Sequence, residues 1–103
     1  MGKTFTLHYL PLFERDIASA RDYIAQNLQN PAAALRLVAD TEKAILKRLE
    51  NPLAFEPYRS NRDRVHPYYR INIRNYTVFY VVIGNVMEVR RFVYSKRDLP
   101  HIL

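Results

Sequence analysis

From Lys3 to Tyr9 the chain alternates, with Phe5, Leu7 and Tyr9 set against Thr4, Thr6 and His8. That two-residue period predicts a strand with one buried face. Pro11 then stands where the first turn of a helix tolerates a missing N–H, and Phe13, Ile17, Ala20, Ile24 and Leu28 recur at three- and four-residue intervals. The pattern predicts one amphipathic helix ending between Asn27 and Asn30. At Asn30-Pro31 a capping side chain precedes proline, so a second helix starts there. Its stripe is Ala34, Val38, Thr41, Ile45 and Leu49, and Asn51-Pro52 ends it.

Residues 53–67 carry Pro57 and Pro67 as breakers and Arg59, Arg62 and Arg64 as charge, the composition of a basic loop. Three strand-like runs come next. Tyr68 to Ile73 alternates, Tyr76 to Ile83 is nearly all apolar and suits a central strand, and Val86 to Tyr94 follows a Gly84-Asn85 hairpin signal. Together these elements predict an α+β fold in the order β-α-α-β-β-β. The helical hairpin packs on one face of a mainly antiparallel four-stranded sheet, the first strand joins the sheet beyond the helices, and Asp98 to Leu103 forms a short tail.

A length of 103 residues with 49% hydrophobic content suits one domain spanning 1–103. No run approaches the roughly 18 apolar residues of a membrane span, and the N-terminus lacks a signal-peptide stretch, so a cytoplasmic protein is expected. With no cysteine, disulfides, thiolate nucleophiles and Cys-based zinc sites are excluded. His8, His66 and His101 are scattered without ligand spacing, so neither metal nor cofactor is expected.

Charge is unevenly spread. Residues 1–50 hold seven Lys/Arg and six Asp/Glu, a net of +1, whereas residues 51–103 hold nine and four, a net of +5. Eight of those nine cations are arginine, and Tyr58, Tyr68, Tyr69, Tyr76, Tyr80 and Tyr94 lie in the same half. Arginine among aromatic rings suits unpaired RNA, because cations grip the backbone while rings stack on bases. The same residues also suit half-exposed strands and protein interfaces.

The run from Tyr69 to Tyr80, then Glu88-Val89-Arg90-Arg91-Phe92-Val93-Tyr94-Ser95-Lys96-Arg97-Asp98, resembles the C-terminal half of RelE/ParE superfamily toxins. The most diagnostic part is an arginine in the last strand followed by Tyr-Ser-Lys-Arg-Asp and a short apolar tail, Ile102-Leu103. The resemblance implies the toxin of a type II toxin–antitoxin system, held inactive by an antitoxin encoded by a neighbouring gene. It also implies one of two targets. RelE-like members cut mRNA in the ribosomal A site, whereas ParE-like members poison DNA gyrase without nuclease chemistry. The Arg/Tyr-rich strands and Arg97 place ribosome-dependent mRNA cleavage first, with gyrase inhibition as the alternative.

On the RelE pattern, Arg70 and Arg97 match the ring of cations, while Asn72, Thr77 and Leu103 depart from it. The candidate catalytic groups are Arg97, Arg70 and Arg74, which can hold a phosphate and stabilise its growing charge, with His101 as a proton donor. His66, Glu56 and Glu88 are further acid–base candidates, Glu88 alternatively making a cross-strand pair. Arg91, Tyr94, Lys96 and Arg59 are candidate substrate contacts. Arg91 has the alternative of pairing with Asp98 or covering the sheet with its stem, and Tyr94 that of lying in the core. Several of these arginines are expected to converge on the sheet face opposite the helices.

Overall fold

The computed structural model describes residues 4–58 and 65–96. Strand β1 (Thr6–Tyr9) runs into helix α1 (Pro11–Asp22), which continues as a π-helical turn (Tyr23–Asn27). Helix α2 (Pro31–Leu49) follows, then strands β2 (Tyr69–Ile73), β3 (Tyr76–Ile83) and β4 (Val86–Tyr94). The sheet has the order β1-β4-β3-β2. Strands β2, β3 and β4 form an antiparallel meander, and β1 lies parallel to β4 with Thr6 opposite Val86 and Tyr9 opposite Val89. The sheet is therefore mixed, with both helices on one face, in the element order that the sequence pattern predicts.

Local chemistry explains the helix starts. Pro11 opens α1 without a side-chain cap, whereas the Asn30 side chain accepts the Ala33 N–H at 3.1 Å ahead of Pro31. The end of α1 departs from expectation. There the Leu28 N–H donates to the Tyr23 carbonyl, a five-residue step in place of four. One extra residue in a turn rotates the residues after it by about 100°, so Ile24 still touches the core while Leu28, expected on the buried stripe, is exposed. In α2 the buried positions are Ala34, Leu37, Thr41 and Ile45, with Leu37 taking the place expected for the half-buried Val38. The Thr41 hydroxyl is satisfied inside the core by the Leu37 carbonyl at 2.7 Å.

The main core lies between helices and sheet and joins Phe13, Ala20, Leu37 and Ile45 to Tyr69, Ile71, Ile73, Val78, Tyr80, Met87, Val89 and Phe92. Its rings are arranged face to face and edge to face, as ring quadrupoles favour: Tyr76 on Phe92 at 4.8 Å, Tyr69 on Tyr80 at 5.3 Å, and Phe13 edge-on to Phe92 at 6.1 Å. A smaller cluster of Tyr68, Phe79, Val81 and Val93, with Tyr58 laid against it, covers part of the helix-free face. Residues 53–58 begin the basic loop and return to the sheet where the Tyr58 N–H meets the Tyr68 carbonyl at 2.6 Å.

Tyr80 ties these layers together. Its fully buried hydroxyl donates to the Pro52 carbonyl at 2.7 Å and accepts from Arg48 at 3.0 Å. The Arg48 guanidinium also reaches the Arg70 carbonyl at 3.1 Å, on the outer edge of β2, and lies 3.5 Å above the Phe55 ring. Edge strand, helix end and connecting loop are thus joined at one phenol. Removing a hydroxyl that leaves a buried carbonyl unpaired costs about 1–3 kcal/mol. Tyr80→Phe is therefore expected to lower the melting temperature by several degrees in calorimetry.

Burial raises the Tyr80 phenol pKa, against the opposing pull of Arg48, and raises those of Tyr76 and Tyr9. A phenol whose folded pKa exceeds its unfolded value of about 10 stabilises the fold fully below that value and loses the contribution as pH climbs through the folded one. Urea unfolding between pH 7 and pH 11 should show stability falling above about pH 10, and Tyr80→Phe should flatten part of that fall. An identical pH slope in the variant would remove Tyr80 from the explanation.

Candidate functional site

Strand β1 ends at Tyr9, but β4 runs on to Tyr94, so beyond the Leu10 N–H bond to the Val89 carbonyl β4 has lost its neighbour. The sequence there also breaks alternation, because Arg90 and Arg91 are consecutive between Val89 and Phe92. The ladder answers with a bulge: Tyr80 pairs with Val89 and Phe79 with Arg91, leaving Arg90 unopposed. Both Val89 and Phe92 can then face the helices. Asp16 of α1 occupies the vacated edge, its carboxylate accepting the Phe92 N–H at 3.0 Å and the Arg91 guanidinium at 2.8 Å and 3.3 Å. The Arg91 and Asp16 side chains are only 20% and 15% exposed, so the pair is largely withdrawn from water.

Arg74 sits at the β2–β3 turn with a left-handed φ of 53° and forms an ion pair with Asp40 of α2. Arg70 points the other way, toward the helix-free face, where its guanidinium lies 5.4 Å above the Tyr58 ring. Arg90 shares that face, 5.8 Å above the Tyr68 ring and 2.9 Å from Glu88. His8 of β1 approaches the same carboxylate at 3.9 Å, so Glu88 does make the cross-strand contact considered from sequence. Thr77 is buried, its hydroxyl held between Ser95 at 2.8 Å and Asn72 at 3.2 Å.

The arginines expected to converge are therefore divided. Arg91 and Arg74 are drawn to carboxylates of the helical layer, and of the described three only Arg70 lies on the helix-free face. Arg91 is held by Asp16, a partner not weighed from sequence. Arg59, Arg97 and His101 lie outside the described residues, as does the expected pairing partner Asp98. Tyr94 is 38% exposed and meets Tyr76 edge-on at 5.7 Å, so it borders the core without entering it. With Tyr23, Ile24, Leu28, Asn75 and Tyr76 it lines a trough of about 530 Å³ between the π-helical turn and the sheet. Lys96 is exposed just beyond the end of β4.

Sequence reading missed Asp16, Arg48 and Arg90 as organising residues. For Asp16 and Arg90 a signal existed, since two adjacent charges between core positions of a strand mark a bulge and a carboxylate between Phe13 and Ala20 can reach it. Arg48 gave none, because its partners lie 22 and 32 residues away.

A family model described as the ParE toxin of the type II toxin–antitoxin system parDE matches residues 7–99. The chain belongs to the ParE toxin family. Among solved structures it is similar to a chain from the chromosomal ParDE toxin–antitoxin system of P. aeruginosa, with a TM-score of 0.75 at 14% identity. That match covers 90% of this toxin and 98% of the other chain, which at such identity is a likeness of fold. No curated protein matches the toxin significantly. As a type II toxin it has a cognate antitoxin as partner. Among the described residues no helix of the toxin is long and apolar enough to cross a membrane.

The Asp16 pair makes a stability prediction. Breaking a largely buried ion pair from one side costs about 3–5 kcal/mol, and partial exposure reduces that to about 2–4 kcal/mol for Asp16→Ala. Asp16→Asn keeps an oxygen for the Phe92 N–H and should lose less. Denaturant unfolding of both variants checks the order; equal stability of Asp16→Ala and the parent would remove the clamp from the fold's energetics.

Proposed function

We propose that this ParE toxin arrests growth in the cytoplasm by binding DNA gyrase and blocking its action, through surface contact and without nuclease chemistry of its own. The observation that carries the reading is the division of the cations. A phosphate undergoing cleavage needs preorganised positive groups aimed at one point. Here Arg91 is neutralised by Asp16, Arg74 by Asp40, and Arg70 lies across the sheet from both. Thr77, where a RelE-type site carries a further arginine, is buried in a hydroxyl network. This supports the gyrase alternative over the mRNA cleavage that the Arg/Tyr-rich sequence placed first. Glu56 and His66 belong to the loop between α2 and β2 and are given no acid–base role.

The contact residues we assign to target binding are those at the exit of β4: the half-exposed Tyr94, Lys96, and Arg97 next to it in sequence. Arg59 is a second candidate contact, and His101 is given no proton-transfer role. Antitoxin binding would silence the toxin by covering this region.

Purified toxin should inhibit gyrase-catalysed supercoiling of relaxed plasmid, and its induction in cells should raise the DNA-damage response while bulk mRNA stays intact. Arg97→Ala should need about tenfold more toxin for half-inhibition, the effect of about 1.4 kcal/mol from one lost charge-assisted contact, with an unchanged melting temperature. Cleavage of mRNA at induced ribosomes with undisturbed supercoiling activity would overturn the proposal.

A further inference from the structure

We infer that the apolar trough between the π-helical turn and the sheet is the docking site of the toxin's own C-terminal tail, residues 99–103, an intramolecular contact separate from the binding of gyrase. Two irregular turns build the trough. The five-residue step that takes the Leu28 N–H to the Tyr23 carbonyl carries Leu28 out of the core, and the Asn30 N–H then reaches back to the Ile24 carbonyl at 3.1 Å. Gln29 between them has a left-handed φ of 51°, and Arg74 at the β2–β3 turn beside Asn75 has one of 53°. No other non-glycine residue among those described is left-handed. Such conformations disfavour residues that carry a side chain, and they persist where the surface they shape is used.

The described residues leave this concave surface open. Tyr23 and Leu28 are 52% and 55% exposed, and Ile24, Tyr76 and Tyr94 complete the apolar lining. Past Asn75 and Tyr76 a further hollow extends it to Ala33 and Leu37 of α2. The one charge among the described residues that line either hollow is Arg74, which Asp40 neutralises. With no uncommitted charge to offer, the lining suits an apolar occupant and gives a phosphate or a carboxylate nothing to pair with.

The place where the chain leaves the sheet names the occupant. Strand β4 ends at Tyr94, part of the lining, and the next residue, Ser95, donates its N–H to the carbonyl of Asn75, another lining residue, at 2.8 Å. Ser95 and Lys96 then form a turn, so the chain departs at the rim of the trough with its direction changing. Residues 97–103 follow as Arg-Asp-Leu-Pro-His-Ile-Leu. Leu99, Ile102 and Leu103 stand at the i, i+3 and i+4 spacing that gathers side chains on one side of a helical turn. Fully extended, a chain advances about 3.3–3.6 Å per residue, which lets Leu99 reach about 10 Å from Lys96 and Leu103 about 25 Å. A trough of about 530 Å³ is short against that reach. Tethering on so short a linker gives the tail an effective concentration on the order of millimolar, which favours it over the same residues of a second copy. Lys96 and Arg97 precede the apolar residues and stay outside the trough.

The toxin contains no tryptophan, so Ile102→Trp and Leu103→Trp each place a single reporter in the full-length chain. A docked indole should emit at shorter wavelength than one in water and be quenched several-fold less by acrylamide, at every protein concentration. Leu28→Lys and Tyr23→Lys each put a charge on an exposed part of the lining, and either should return both readings to those of an indole in water while the melting temperature changes little. If one of the two does not fold, the other decides. Leu35→Lys, on an exposed position of α2 away from the trough, should leave both readings as they are. Water-exposed indoles at both tail positions would overturn the inference, as would a blue shift that survives the lining substitutions. A blue shift lost on dilution would give the trough to a second copy, and one that appears only when antitoxin is added would give it to the antitoxin; either result also overturns it. None of these readings depends on gyrase.

Discussion

The carboxylate of Asp16 fastens helix α1 to the strand β4. Asp16 accepts one backbone N–H and two guanidinium N–H groups from β4 where that strand has outrun its parallel neighbour. Burying a strand edge without partners is costly. The usual remedies are another strand or water, and here a helix supplies the acceptor. Because the bond falls on Phe92, whose ring stacks on Tyr76 and meets Phe13 edge-on, the same contact sets how α1 lies along the sheet. The bulge, the aromatic core and the angle of the first helix are consequences of one another.

Much of this architecture was legible in the sequence because periodicity reports burial directly. Alternation at Phe5, Leu7 and Tyr9, the helical stripe from Phe13 to Ile24, and the Gly84-Asn85 turn each express one local rule, and each corresponds to an element or a buried face. Leu28 was illegible for a physical reason: its exposure follows from a π-helical step, and no residue in Tyr23–Asn27 announces one. The choice of Leu37 over Val38 likewise reflects how α2 is rolled against the sheet, which neighbouring elements determine.

The site was less legible than the fold because charge composition says how many cations exist and nothing about their partners. Arg70, Arg74 and Arg91 look equivalent in the sequence. In three dimensions one meets a ring, and two meet carboxylates 34 and 75 residues away along the chain. Family resemblance identified the toxin class from the pattern around Arg91–Asp98, yet it does not say which cations are paired with carboxylates. That pairing exists only after folding.

The parallel pairing of β1 with β4 also has a consequence in time. Thr6 must find Val86, about 80 residues later in the chain. At roughly 5–20 residues per second, a ribosome takes about 4–16 s to make that stretch, and the last strand must then clear the exit tunnel. Helices α1 and α2 can form early from local contacts, but the sheet cannot close on them until synthesis is nearly over. A nascent chain therefore spends most of its synthesis as a pair of helices with no completed sheet to cover their apolar faces.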